Sequence, residues 1–391
     1  MTGAVVYAIA LVCERVIALF LLSVLVGDIS EPRFAIWTQF IGAIALLNVV
    51  IIVRLDNGLL ARLPQHPRAE AKSIFVYALV SLIPIFLLFS IVTWTLKDPL
   101  SIFIFGNQTY VDLMNCMIFF SVAEGVASLG QSYLRIFEKI KLMALHYFFR
   151  FGGRAILLIV LLEWHHSSLE DALYILGFYT FILGICPLLL EKTNKVSPKK
   201  LFKELVAAFG EGRSQLMAAT IYWLLANSDR YLVLHFLDLA TLEKYAFLVS
   251  IAAPIAIAPI IIAQGAVPKL VSSFHNQADK FYHDFEVFFG FTIFATLAAS
   301  TGFICVADFL THLLSVGQIR VSNLNIFLIA TLMFLTAIET TLGCYFLATS
   351  NSRKHAKTLI FCLPISLGLA SSFVVILGLS GILVAKIITS L

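Results

Sequence analysis

The chain has 391 residues, of which 60% are hydrophobic and 13% are charged, and its formal net charge is +4. An ordinary soluble domain carries about 25% charged residues, so this composition excludes one. Apolar stretches of about 20 residues recur along the chain, and this is the length that an α-helix needs to cross a bilayer. The composition therefore predicts a polytopic membrane protein.

Hydropathy windows of about 20 residues predict eleven spans and a short terminal segment. The first six are 4–26, 34–53, 74–95, 110–131, 142–162 and 169–190. The next five are 205–227, 245–267, 284–306, 323–347 and 357–378. Segment 380–391 is too short to cross as a helix, so we expect a half-helix or an incomplete twelfth span. The N-terminal "MTGAVVY" lacks the basic residues of a signal peptide, and we expect none.

A basic loop near mid-chain divides these spans into two sets. We predict an N-terminal six-helix half over 1–190, a cytoplasmic basic linker over 191–204 and a C-terminal half over 205–391. The C-terminal half holds spans 7–12, of which the last is incomplete. A short internal similarity supports the division, because "EPRFAIW" opens span 2 and "LEKYAFL" opens span 8. Repeats of this kind are typical of transporters.

Basic residues predict the orientation of the spans. Of the 27 lysines and arginines, 17 lie in loops that follow even-numbered spans, and five lie in the opposite loops. Because cytoplasmic loops carry the excess of lysine and arginine, this bias places the N-terminus in the cytoplasm. All four tryptophans then fall near the outer ends of spans, where indole rings favour the interface.

Several kinds of site are not indicated. The six cysteines lie within spans without clustering, so the sequence predicts neither a disulfide framework nor a cysteine metal site. His165 and His166 are more typical of a solvated turn than of a metal site. The sequence has no Walker loop for ATP. We therefore expect no cofactor and no metal, and no nucleic-acid partner.

Ionisable residues within the spans are the main functional signal. A charge at the centre of a spanning helix costs about 2.5 to 3.5 kcal/mol, and such residues usually face a water-filled cavity or a substrate path. The spans contain Arg15, Arg150, Arg154 and Arg213, with Glu14, Glu124, Glu211 and Glu339. Arg150 and Arg154 share one helix face with His146, since their spacing is four residues. Helix–helix packing is the alternative role for these residues. The sequence favours a functional role for the arginines, and for the glutamates it favours neither role.

The sequence resembles the MOP exporter superfamily, in particular its Wzx-type O-antigen flippases. The first similar segment is "ERVIALFLLSVLVGDISEPRFAIWTQF", with a charged first helix and an aromatic residue opening the second. The second is "NSDRYLVLHFLDLATLEKYAFLVSIAAPIAIAPIIIAQGAVPKL", in which Asp229, Tyr245 and Pro268 match the family pattern. "YFFRFGGRAILLIVL" and "GLSGILVAKI" fit the fifth and last helices. The sequence departs from the family in ending at Leu391, so we expect helix 12 to be incomplete.

This resemblance implies an all-α fold of the MOP or MATE type, with about 12 transmembrane helices in two six-helix halves. It implies a flippase that moves undecaprenyl-diphosphate-linked O-antigen repeat units across the bacterial inner membrane by alternating access. The expected partners are that lipid-linked oligosaccharide, the bilayer, and other polysaccharide-assembly membrane proteins.

Site residues follow from combining the resemblance with the charges in the spans. Guanidinium groups match phosphate oxygens in a bidentate manner. We therefore predict a diphosphate site that contains Arg15, Arg150 and Arg154, with Arg213 contributing from the other half. Proton or ion coupling, or the lining of the cavity, is predicted for Glu14, Glu124 and Glu339.

Two other functions stay open. A cation-coupled multidrug antiporter of the same fold would use the glutamates, but the set of arginines favours an anionic substrate. A membrane polymerase or glycosyltransferase acting on lipid-linked glycan is the second alternative. That class generally needs a large outer loop with catalytic carboxylates, and no outer loop of this sequence exceeds about 20 residues, a length near that of one span. We therefore expect a transporter and not an enzyme.

Overall fold

The computed structural model describes residues 2–26, 32–190, 196–257, 278–349 and 352–390, with short pieces between 259 and 274. Every regular element in these ranges is helical, which confirms the predicted all-α class. Peptide groups in hydrocarbon have no water to bond, and a helix satisfies them within its own segment. Long apolar stretches therefore fold as helices.

The α-helices with described bounds are numbered in chain order. The first six are α1 (Thr2–Val26), α2 (Arg33–Ile51), α3 (Leu55–Arg62), α4 (Arg68–Ser81), α5 (Ile83–Thr95) and α6 (Lys97–Phe105). The next five are α7 (Val111–Ile136), α8 (Ile140–Phe148), α9 (Arg154–Ile159), α10 (Leu169–Ile185) and α11 (Pro198–Phe236). The last four are α12 (Leu239–Ala252), α13 (Ala278–Leu314), α14 (Asn323–Ala348) and α15 (Ser352–Ser390).

Ten helical stretches in the described ranges are long and apolar enough to cross a membrane. They are Ile9–Val26, Arg33–Ile51, Arg68–Thr95, Gln108–Ile136, Ile140–Trp164, Leu169–Leu189, Leu239–Ala256, Lys280–Leu314, Asn323–Phe346 and Lys357–Ser390. The predicted span 205–227 is helical as part of α11 but is not among them, because charged and polar residues interrupt it. Several residues near the end of the predicted span 245–267 lie outside the described residues, and so does Pro268. The count of about 12 spans stays a prediction.

The chain forms two compact units. Unit 1 comprises Met1–Val24 and Ile36–Trp223, and unit 2 comprises Leu25–Ala35 and Leu224–Leu391. The boundary at Trp223 falls inside α11, so the first part of this helix packs within unit 1. The division into six-helix halves joined by a linker stays a prediction, and residues 191–195 of that linker lie outside the described ranges.

Small residues let α7 and α10 approach closely in unit 1. A Cβ atom added to Gly130 would lie 2.5 Å from the carbonyl oxygen of Gly184, and one added to Gly184 would lie 2.6 Å from the backbone nitrogen of Ala127. Small residues at such contacts are the usual way in which membrane helices pack. This contact fixes α7, which carries Glu124, against α10.

The start of α11 packs against α3 in the same unit. A Cβ atom on Gly58 would lie 2.0 Å from the carbonyl oxygen of Ala208, so the two backbones are in contact there. Beside this contact, Arg62 Nε donates a hydrogen bond of 2.9 Å to Glu204 Oε2 and Arg62 Nη1 one of 3.2 Å to Glu211 Oε1. Residues far apart in the sequence therefore hold the first part of α11 in unit 1.

The last helix of unit 2 is broken at Gly378. This residue has φ 59° and ψ −135° inside α15, a left-handed region that glycine adopts at little cost. After the break, the Ser380 hydroxyl donates a hydrogen bond of 2.7 Å to the Asn325 side chain of α14. The terminal segment is thus a short helix with its own direction, which continues to Ser390.

Candidate functional site

Two buried arginines share one buried carboxylate in unit 1. Arg150 Nη2 lies 2.8 Å from Glu124 Oε1, and Arg154 Nη1 lies 3.2 Å from Glu124 Oε2. Arg150 Nη1 also donates a hydrogen bond of 2.7 Å to Gln131 Oε1 on α7. All three charged residues are less than a tenth exposed. We call Glu124, Gln131, Arg150 and Arg154 the Glu124 cluster.

The Glu124 cluster has an excess of hydrogen-bond donors and of positive charge. Two guanidinium groups against one carboxylate leave a net charge of +1. Arg150 Nε is buried without a hydrogen-bond partner among the described residues. Within the same residues, the Arg154 side chain makes its only hydrogen bond through Nη1. A buried group of this kind is stable only when its remaining donors and charge are balanced, so the cluster can accept an anion.

Aromatic rings flank the arginines. The guanidinium carbon of Arg154 lies 5.4 Å from the ring centre of Phe120 and 5.3 Å from that of Phe151, and that of Arg150 lies 5.1 Å from Phe151. A cation within about 6 Å of a ring face is attracted by its negative potential. The rings therefore stabilise the cationic side chains without consuming their N–H donors.

A π-helical turn positions both arginines. Residues Phe149–Gly153 form this turn between α8 and α9, and Arg150 lies within it while Arg154 follows it directly. A π-helical turn changes the backbone hydrogen-bond register, and such turns occur often at functional sites. The Tyr179 hydroxyl of α10 donates a hydrogen bond of 2.8 Å to the Phe149 carbonyl. A Cβ atom on Gly153 would lie 2.4 Å from that hydroxyl oxygen, so the absence of a side chain there makes the contact possible.

Glu14 and Arg15 of α1 lie next to the cluster. Arg15 Nε is 3.3 Å from Glu14 Oε2, and the side chains of Arg15 and Glu14 are 40% and 12% exposed respectively. Glu14 is close enough to Arg154 to interact with it electrostatically. The structure therefore brings together five of the seven residues that the sequence singled out, all of them in unit 1.

The other two residues belong to α11 and α14. Arg213 is exposed and belongs to the part of α11 that packs in unit 1, although the sequence places it in the C-terminal half. Glu339 is half-buried on α14 in unit 2. The binding and coupling roles predicted for all seven residues stay predictions.

His146 differs from the two arginines that share its helix face. Its Nε2 atom lies 3.2 Å from the carbonyl oxygen of Leu183, near the end of α10. Of the residues that the structure describes, no group of three or more histidine, cysteine, aspartate or glutamate side chains is placed to hold a metal ion.

A second charged cluster, in unit 2, was not predicted. Asp229 of α11 accepts hydrogen bonds from Lys386 Nζ at 2.5 Å and from the Tyr245 hydroxyl. The depth of Lys386 could not be predicted, because the segment that carries it is too short to be identified as a span. The signal available was the resemblance, which already included Asp229, Tyr245 and the segment "GLSGILVAKI".

Comparisons with known proteins show the fold. No protein-family model and no curated protein matches the sequence. An inward-facing multidrug resistance MATE family transporter of the MOP superfamily is similar in structure, with a TM-score of 0.78, 12% identity, and coverage of 96% of this chain and 91% of that one. The lipid II flippase MurJ, in an inward closed conformation, also gives 0.78, with 13% identity and coverage of 99% and 85%.

A third similar structure is a MOP superfamily transporter from Pyrococcus furiosus, with a TM-score of 0.66, 13% identity, and coverage of 99% of this chain and 92% of that one. That transporter is described as having a binding pocket of reverse polarity, which suggests a different function for it. The charge of a site therefore carries information that the shared fold does not. The chain has the fold of the MOP superfamily transporters.

Proposed function

We propose that this protein is a flippase that translocates undecaprenyl-diphosphate-linked O-antigen repeat units across the bacterial inner membrane by alternating access. The observation that carries the proposal is the Glu124 cluster, in which Arg150 and Arg154 of one candidate span share a carboxylate of another. Arg15 and Arg213 complete the proposed diphosphate site. Other polysaccharide-assembly membrane proteins are the proposed partners, and the N-terminus is proposed to be cytoplasmic.

The chemistry of a diphosphate fits the excess positive charge and the excess N–H donors of the Glu124 cluster. A diphosphate carries several negative oxygens, and guanidinium forks pair with them through charge-assisted hydrogen bonds of about 1.5 to 3 kcal/mol each. Glu124 holds the two arginines in place but cancels only one of their charges. An anion that binds there would neutralise the remaining charge and use donors such as Arg150 Nε.

A transporter function is consistent with the solved structures of this fold. The neighbours are described as multidrug transporters and as a lipid II flippase, so both small molecules and a lipid-linked molecule are substrates of similar proteins. The arginines distinguish the two possibilities for this chain, because they favour an anionic headgroup over a cationic drug.

A cation-coupled multidrug antiporter is the second candidate. The observation that favours it is the similarity to the MATE transporter, together with the glutamates Glu14, Glu124 and Glu339. A cationic drug would need a carboxylate to pair with. Both carboxylate oxygens of Glu124 are already bonded to arginine, which weakens this candidate.

Reconstitution in liposomes separates the two candidates. We expect the purified protein to move a fluorescent undecaprenyl-diphosphate-linked glycan between leaflets, measured with a membrane-impermeant quencher. The same glycan on undecaprenyl monophosphate is the matched control and should move more slowly, because it offers fewer oxygens to the arginines. Uptake of a fluorescent aromatic cation driven by a pH gradient, without movement of the glycan lipid, would instead establish the antiporter.

A further inference from the structure

In the second charged cluster, in unit 2, the amino group of Lys386 lies against two oxygen atoms. Lys386 Nζ lies 2.5 Å from Asp229 Oδ2 and 3.2 Å from the carbonyl oxygen of Ala226. The Tyr245 hydroxyl donates to the same carboxylate oxygen, and the backbone nitrogen of Arg230 donates to Oδ1 at 3.0 Å. We call Ala226, Asp229, Tyr245 and Lys386 the Asp229 niche.

The Asp229 niche is buried. The side chain of Asp229 is 4% exposed, that of Lys386 is 16% exposed, and Tyr245 is 1% exposed. A carboxylate at this depth requires a cation, because an unpaired buried charge is strongly unfavourable. The break at Gly378 and the hydrogen bond from Ser380 to Asn325 give the terminal segment its own direction. This segment carries the amino group to the carboxylate.

The ligands of the amino group are those of an alkali-metal cation. An ammonium group is a compact charge with three N–H donors. Carboxylate and backbone carbonyl oxygens are also the ligands that hard cations select in proteins. The niche therefore has the chemistry of a monovalent cation site, with the cation supplied by the chain itself.

We propose that the Asp229 niche is a monovalent-cation site whose permanent occupant is the Lys386 ammonium group. Unit 2 thus needs no free cation in this niche, and removal of the ammonium group opens the site to Na⁺, K⁺ or Li⁺. The proposal rests on the geometry of unit 2 alone and is independent of the substrate proposed for the protein. The competing interpretation is a structural ion pair that no free cation can replace.

Thermal stability in different salts tests this proposal. The probes are sodium, potassium and lithium chloride against choline chloride at the same concentration, because choline is too large for a site of this size. Wild-type protein in detergent should melt at the same temperature in all four salts. Lys386→Met keeps the length of the side chain but not its charge. It should melt at least about 2 °C higher in the best alkali chloride than in choline chloride once the cation exceeds its dissociation constant about tenfold.

The double variant Asp229→Asn with Lys386→Met is the matched control. Removal of both charges of a buried pair is tolerated far better than removal of one, so this variant should fold without any response to alkali cations. Arg230 is near enough to affect Tyr245 electrostatically and is retained in all variants, so its contribution is constant. Retention of radioactive sodium by Lys386→Met, and not by the double variant, would confirm binding directly.

Three results would overturn the proposal. One is a melting temperature of Lys386→Met that is equal in alkali and choline chloride. Another is an alkali-cation response of the wild type as large as that of the variant, because Lys386 would then not be the occupant. The third is failure of Lys386→Met to fold in any alkali chloride, since the proposal requires one of these cations to replace the ammonium group.

Discussion

At the scale of single residues, Glu124 organises the candidate site. Its two carboxylate oxygens bond separate arginines, and each of these arginines is less than a tenth exposed. The carboxylate therefore fixes the positions of both guanidinium groups while leaving a net positive charge. This assigns Glu124 a positioning role beside the lining or coupling role that the sequence predicts for it.

Glu124→Gln tests the positioning role. The substitution leaves two buried guanidinium groups without their anion, and breaking a buried pair on one side costs about 3 to 5 kcal/mol. We expect a clear fall in melting temperature in detergent, whereas the exposed Glu163→Gln should melt like the wild type. A variant that keeps the wild-type melting temperature but loses dependence of transport on a pH gradient would assign Glu124 to proton coupling instead.

The pair Arg62–Glu204, outside the ten candidate spans, gives a second prediction at this scale. The hydrogen bond from Arg62 holds the pKa of Glu204 below its ordinary value of 4.5. Because the folded pKa is the lower one, the stabilisation is complete above about pH 4.5, the unfolded value, and is lost as the pH falls through the folded pKa. The Arg62 side chain is 30% exposed, so solvent screening limits the effect to about 1 kcal/mol.

Melting temperatures measured from neutral pH downward check this pair. The difference between the wild type and Glu204→Gln should be constant above about pH 4.5 and should shrink below it. Arg62→Met should show the same loss of pH dependence. A difference that grows as the pH falls would contradict the assignment.

At the scale of elements, the π-helical turn Phe149–Gly153 is the feature on which the site depends. Its carbonyl at Phe149 is bonded by Tyr179 from α10, and Gly153 leaves space for that hydroxyl group. A regular helix would also place Arg150 and Arg154 on one face. The π-helical turn changes the backbone hydrogen-bond register directly before Arg154, and Tyr179 bonds the first carbonyl of the turn.

Gly153→Ala and Tyr179→Phe test this element as a pair. In Gly153→Ala the new Cβ atom would lie 2.4 Å from the tyrosine hydroxyl oxygen, so we expect a lower melting temperature. Tyr179→Phe loses one hydrogen bond, which contributes about 0.5 to 1.5 kcal/mol. In the double variant the atoms nearest to the new Cβ atom are ring carbons at 3.4 and 3.5 Å, which is an ordinary contact. The loss of stability in the double variant should therefore be smaller than the sum of the losses in the two single variants.

The control for this pair is Gly210→Ala on α11, where an added Cβ atom meets open space. It should be neutral or slightly stabilising, because alanine favours helix over glycine by about 1 kcal/mol. Strictly additive losses in the Gly153 and Tyr179 variants would mean that the contact does not hold the turn in place.

At the scale of the whole molecule, the helical class was predictable and the pairing of charges was not. Bilayer thickness fixes the length of a span, so hydropathy alone located most of the candidate spans. The spacing of Arg150 and Arg154 placed them on one face. Their partner Glu124 depends on the register between α7 and the helices after it, which close contacts such as Gly130 with Gly184 determine. Lys386 was missed because its depth depends on the break at Gly378.

The orientation of the molecule gives a prediction of its own. The bias of basic residues predicts that Ser197 lies in the cytoplasm and Ser167 outside. In intact cells, a membrane-impermeant thiol reagent should label Ser167→Cys, and should label Ser197→Cys only after permeabilisation. The background is a variant whose native cysteines are replaced by serine. Labelling of Ser197→Cys in intact cells would show that the orientation is the opposite of the predicted one.

The central claim is that Arg15, Arg150, Arg154 and Arg213 bind a diphosphate. The most direct measurement is the dissociation constant of an undecaprenyl-diphosphate-linked glycan for each arginine variant, taken with its melting curve. A charge-assisted hydrogen bond contributes about 1.5 to 3 kcal/mol, so each Arg→Ala change should weaken binding by about 10- to 100-fold. Arg→Lys should be intermediate, because it keeps the charge and loses the planar fork.

Arg135→Ala, at the exposed end of α7, is the control and should bind like the wild type. The result predicted is a selective loss of binding in the four Arg→Ala variants, with Arg→Lys weakened less at each position. Wild-type affinity and transport in both Arg15→Ala and Arg154→Ala, with normal melting curves, would contradict the cationic site.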